Sequence, residues 1–234
     1  MKTLLPASAL LAATSLAAAQ SAPTAAQIVD RMEQKNQLRA NDLRHYTSLR
    51  HYLVAYTGFP KDVTAAIDVQ LDYDAPATKK FRILAESGSK YVCEHVLRKL
   101  VEGETEAGRE QRSYALTREN YNFSLAGYDN LNGRPAYILN VEPLTASKYL
   151  YRGKIWVDAT DYAVMRIDAE PAKNPSFWIS QAQIHHTYSK VGEFWLPASN
   201  HSESKVRIGG TAVLTIDYGL YTHLNEASLQ TASR

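Results

Sequence analysis

The chain has one cysteine, Cys93, in 234 residues. That excludes an internal disulfide and a cysteine-rich zinc site. It has almost no charge excess: 26 Lys and Arg against 24 Asp and Glu leave a formal +2. Without a surplus of basic residues to meet phosphates, no nucleic-acid partner is expected. There is no G-x-S-x-G, no H-E-x-x-H, no phosphate-cradling glycine loop and no dinucleotide fingerprint. No repeat, linker or low-complexity stretch divides the chain. Apolar residues make up 45% of it, too many for intrinsic disorder at so small a net charge.

What is present begins with a leader. Lys2 supplies a positive charge, Leu4 to Ala13 an apolar run, and Ala17-Ala18-Ala19 the small residues of a cleavage site before Gln20. Residues 1–19 therefore read as a secretory signal peptide. The run is too short for the ~20 residues of a membrane span. Residues 20–234 are expected to form one exported, monomeric domain, periplasmic in a bacterium with two membranes. In that oxidising compartment Cys93 stays single and reads as a small, partly buried hydrophobe on a helix.

Tyr 15, Phe 5 and Trp 3 give an aromatic bias that suits strands. Thr24 with Gln27 forms a capping-box pattern, and a helix is predicted from there to about Asn41. Strands follow at 44–57, 65–73 and 79–85. In the second, Ile67, Val69, Leu71 and Tyr73 alternate with Asp68, Gln70 and Asp72, the mark of a half-buried strand. A second helix is predicted over 91–107, with Val92, Val96, Leu97, Leu100 and Val101 on one face. Hairpins are then expected at 121–141, 151–170 and 179–201, with a last strand at 205–221. The sum is a mainly β fold with helices: one large, curled antiparallel sheet of about ten or eleven strands, a half-closed barrel whose concave face the helices cover.

Residues arranged for chemistry are few. His185 and His186 are adjacent on a strand, so they point to opposite faces and cannot share a metal. No metal, cofactor or catalytic residue is expected. Acidic pairs such as Asp158 with Asp161 and Asp168 with Glu170 fall at turns or alternate outward. They leave an exported hydrolase, tested at Asp158 or Glu170, as the weakest of three readings. Large apolar side chains on strands, among them Trp156, Met165, Trp178, Phe194 and Trp195, fit either a plain core or the lining of a lipid-sized pocket.

A resemblance chooses between these. Gly153-Lys154-Ile155-Trp156-Val157-Asp158, followed by Val164-Met165-Arg166, resembles the G-x-I-W-V-D…(V/I)-x-R hairpin of LolA-like outer-membrane lipoprotein-sorting proteins. Pro171 to Trp178 and Val191 to Pro197 resemble one bacterial branch of that group. Pro76 to Arg82 is similar to the family's P-x-x-F-R strand, two residues longer. The resemblance implies a periplasmic carrier that shelters lipid or lipoprotein acyl chains in a half barrel and acts with donor and acceptor membrane complexes. The alternative it leaves is a sensor reporting lipid state to a protein partner. The cavity residues it suggests are Phe81, Ile83, Trp156, Met165, Ile167, Ile184, Leu214 and Ile216. Strand alternation sets Trp156 opposite Ile155 and Val157 and leaves open which side faces inward. The lid would comprise Val92, Val96, Leu97 and Leu100. By motif, Arg82 is the arginine that ties the lid down.

Overall fold

The computed structural model describes residues 22–109, 114–147, 149–174, 176–207 and 209–225, with the backbone alone for 105–109. The leader expected at 1–19 lies outside them. Helix α1 (Ala25–Asp42) starts at a complete capping box: Thr24 Oγ1 accepts from the Gln27 amide at 3.3 Å, and Gln27 Oε1 accepts from the Thr24 amide at 2.9 Å. Ile28, Val29 and Met32 are its buried residues, and each such burial stabilises by roughly 1.5–3 kcal/mol. At its far end Arg39 donates to the carbonyls of Asp161 and Tyr162, fixing the helix to a distant turn.

Ten strands follow: β1 (His45–Gly58), β2 (Val63–Asp74), β3 (Thr78–Gly88), β4 (Tyr121–Leu131), β5 (Arg134–Pro143), β6 (Tyr151–Asp158), β7 (Val164–Pro171), β8 (Ile179–Val191), β9 (Phe194–Val206) and β10 (Gly210–Thr222). They form one sheet in the order β3-β2-β1-β10-β9-β8-β7-β6-β5-β4, each neighbour antiparallel. The sheet is open, with β3 and β4 as its edges. The chain passes between those edges through a helical segment in three pieces: α2 (Lys90–Val92), a π-helical turn (Cys93–Leu97) and α3 (Arg98–Arg109). The last strand is shorter than predicted. Residues 205 and 206 still belong to β9, and β10 begins only at Gly210.

Because antiparallel partners share a face, the register can be followed across the inner side of the sheet. One row runs Leu125, Leu139, Ile155, Ile167, His186, Asn200, Ile216, Tyr52, Ile67. Its two ends are apolar and each lies under a helix. α1 packs over Leu139, Val141, Ile155, Val157, Ile167 and Ala169. The second helical segment packs over Tyr52, Ala65, Ile67, Val69 and Ile216 through Cys93, Leu97 and Val101. Between the two covered halves the row turns polar, at His186 and Asn200. Among the described residues no helix is long and apolar enough to cross a membrane.

Candidate functional site

Half of the expected lining, Phe81, Ile83, Leu214 and Ile216, converges beneath the second helical segment. Phe81, Ile83, Val92, Leu100 and Leu214 pack around Cys93, Leu97 and Ile216. Ile167 lies on the same inner face but under α1. Ile184, paired with Ala169 and Ser202, lies in the strip between the helices.

Four expected positions fall elsewhere. Trp156 and Met165 pack on the outer face with Ala136, Ile138 and Trp195. There the Trp156 indole donates to Asp129 at 2.8 Å and lies under the Arg166 guanidinium. Arg82 also points outward, donating to Gln70 Oε1 at 2.6 Å, because its strand neighbours Phe81 and Ile83 take the inner face. Val96 is 42% exposed. The reason is the π turn, in which the Arg98 amide bonds back to the Cys93 carbonyl. This i→i+5 closure widens the helix by a residue and brings Cys93, Leu97 and Val101 into line against the sheet. Cys93 is accordingly buried.

The arginine that fastens this segment is Arg50, on β1. Its side chain is 2% exposed, and Nη1 donates to Glu104 Oε2 of α3 at 2.6 Å. Tyr52 donates to the other Glu104 oxygen at 2.8 Å. The guanidinium also lies over the rings of Tyr218 and Phe81. Burial works against the Arg50 charge, but Glu104 and Tyr52 outweigh it and hold its pKa above the ordinary value. In the middle of the segment, directly after the π turn, Arg98 pairs with Glu86 of β3 at 2.7 Å. Sequence reasoning missed Arg50 and Glu104. The signal was the phase of β1, where Tyr46, Ser48, Arg50 and Tyr52 are buried in alternation.

Asp158, offered as a hydrolytic acid, is wholly buried and structural. It accepts from Arg134 Nε at 2.6 Å and from the amides of Thr160 and Asp161. Burial raises its pKa, yet these donors outweigh it and leave the pKa below the usual carboxylate value. That is the opposite of what a general acid needs. Asp161 is likewise occupied, by Arg134, Lys190 and the Trp195 indole. Glu170 pairs in register with Arg152, six residues along β6 from Asp158, or ~20 Å at strand rise. That separation exceeds the ~9.5 Å limit of a glycosidase pair. A groove of ≈ 380 Å³ lies on the outer face, lined by residues including Leu49, His51, Asp68 and Leu84.

No family model matches the chain, and no curated protein matches it. Solved structures do. A DUF1329 family protein from Desulfovibrio piger is 13% identical, with 86% of this chain and 93% of that one covered and a TM-score of 0.44. An outer membrane lipoprotein-sorting protein domain from Vibrio parahaemolyticus is 13% identical over 87% and 92%, TM-score 0.39. A LolA superfamily protein from Nitrosomonas europaea is 10% identical over 86% and 93%, TM-score 0.37.

Proposed function

We propose that the chain is an exported LolA-like carrier that shelters the acyl chain of a lipid or lipoprotein between the inner face of its sheet and the segment 90–109. One observation carries this reading. The segment covers the apolar half formed by β1, β2, β3 and β10, and it is tied down at an ion pair, Arg50 with Glu104. The arrangement is the closed form. Swinging the segment away uncovers Phe81, Ile83, Leu214 and Ile216, and an acyl chain takes the place of Cys93, Leu97 and Leu100.

The energetics suit a carrier. Each CH₂ moved out of water stabilises by about 0.8 kcal/mol, so a long tail replaces the lid's own apolar contacts without any catalytic group. The π turn breaks the regular i→i+4 ladder in the middle of the segment, and such turns are frequent at functional sites. The reading puts the mature chain, residues 20–234, in the periplasm, receiving cargo from one membrane complex and giving it to another.

The test is to express the mature chain and analyse it by native mass spectrometry, then titrate it with a fluorescent fatty acid. Lipid that co-purifies, or saturable binding of the probe, supports the reading. Protein that arrives lipid-free and ignores the probe contradicts it.

A further inference from the structure

Four buried side-chain polar atoms among the described residues have no hydrogen-bond partner: Ser48 Oγ, Arg50 Nε, Thr117 Oγ1 and His186 Nε2. Three of them belong to the inner face of the sheet, close to the polar break between its two helix-covered halves. Ser48 and Arg50 are 0% and 4% exposed. They alternate onto the same side of β1, opposite Leu71 and Val69 of β2. His186 lies 5.7 Å from the Tyr218 ring, and that ring lies 4.8 Å from the Arg50 guanidinium.

These atoms share a chemical character. Arg50 Nε can only donate. His186 Nδ1 faces the Asn200 amide nitrogen at 3.1 Å, while Asn200 Oδ1 accepts from Ser202. Nδ1 is therefore the acceptor of the ring and Nε2 carries the hydrogen. Burial is the main reason the His186 pKa falls to about 4, so the ring is neutral at pH 7. Ser48 can donate as well. The site thus offers donors in need of acceptor oxygens.

The charges agree. Lys79 is in register with Tyr73, which stacks on Tyr46 of the inner face. It is close enough to Glu104 and Arg50 for their charges to act on it, although burial is the larger influence and lowers its pKa. Among the described residues, two cations, Arg50 and Lys79, thus face a single carboxylate, Glu104, which Arg50 and Tyr52 already engage. The surrounding tyrosines 46, 52, 218 and 221 have raised pKa values and carry no charge. Among the described residues, this cluster carries one positive charge in excess.

We propose that Ser48, Arg50, His186 and Lys79 form a subsite for the acidic headgroup of an amphiphile, a carboxylate or a phosphate, whose tail lies under the segment 90–109. The inference rests on the carrier reading and narrows it to cargo that presents an anionic group beside Arg50, on the inner face of the sheet. A neutral headgroup would leave the excess charge uncompensated, and a purely apolar one would leave the donors unmet as well.

The experiment is a competition on the mature chain, with the neutral probe N-phenyl-1-naphthylamine displaced by palmitate, hexadecyl phosphate or hexadecanol. At least one acid is expected to displace the probe at a concentration tenfold or more below that of the alcohol. The more effective acid identifies the headgroup class. Ser48→Ala and Lys79→Met are each expected to reduce this preference to below threefold without altering displacement by hexadecanol. Equal displacement by acids and alcohol, or a preference that survives both substitutions, overturns the subsite and leaves the carrier reading standing. A chain that takes up neither probe nor competitor overturns both.

Discussion

Arg50 and Glu104 show how much one inward residue can decide. A buried guanidinium is tolerable only with a carboxylate on it, and here the carboxylate comes from the element that covers the site. Losing one partner of a buried pair costs about 3 kcal/mol or more. Glu104→Ala should therefore lower stability by that order in urea unfolding, whereas the double variant Arg50→Met with Glu104→Ala should recover part of the loss. His186 gives a second prediction, in pH. Its folded pKa is depressed from 6.5 to about 4, so between those values the unfolded chain binds a proton that the folded chain refuses. The stability tied to the neutral ring is full above pH 6.5 and is lost as pH falls towards 4, by up to about 3 kcal/mol. Melting temperatures across that range should fall for the natural chain, and His186→Phe should remove this part of the slope. The phase of β1 marks Arg50 as inward, but neither role could be read further from sequence, because a lone arginine or histidine on a strand shows its partner only when the opposite element is placed.

At the scale of elements, alternation was readable where one face of a strand is wet. In β2 the inward set Ile67, Val69 and Leu71 is buried as the pattern predicts. In β6 it was not, because residues 155–158 are buried on both faces, by α1 inside and by the tryptophan cluster outside. The face of Trp156 was therefore undecidable from its strand alone. The π turn was equally hidden, since an α-helical wheel puts Val96 beside Leu97. Val96→Asp should change stability by less than about 0.5 kcal/mol, as at other exposed positions. Leu97→Ala should cost about 2–5 kcal/mol; thermal unfolding of the two variants distinguishes them. Gly153 of the hairpin motif has φ +152, and an added Cβ there would meet the Asp168 carbonyl oxygen and come within 2.7 Å of Ala169 Cα. Gly153→Ala should thus destabilise by about 2 kcal/mol or more through forced separation of β6 and β7, again read by thermal unfolding.

For the whole molecule, the hairpin turns announced consecutive antiparallel strands, and the sheet follows them from β4 to β10. The closing contact, β1 against β10, joins strands far apart in sequence and left no local mark. It decides the architecture, because it places β1 to β3 and their helical cover beside the last strand and so makes one inner face with two covered halves. The central claim is that the half under residues 90–109 opens for a tail while the half under α1 stays shut. Hydrogen–deuterium exchange of the mature chain, with and without saturating palmitate, tests this directly. The account predicts altered protection in 90–104 and in the facing strands β1, β2 and β10, with α1 and β4 to β6 unchanged. No change on adding palmitate, or a change centred on α1, would contradict it.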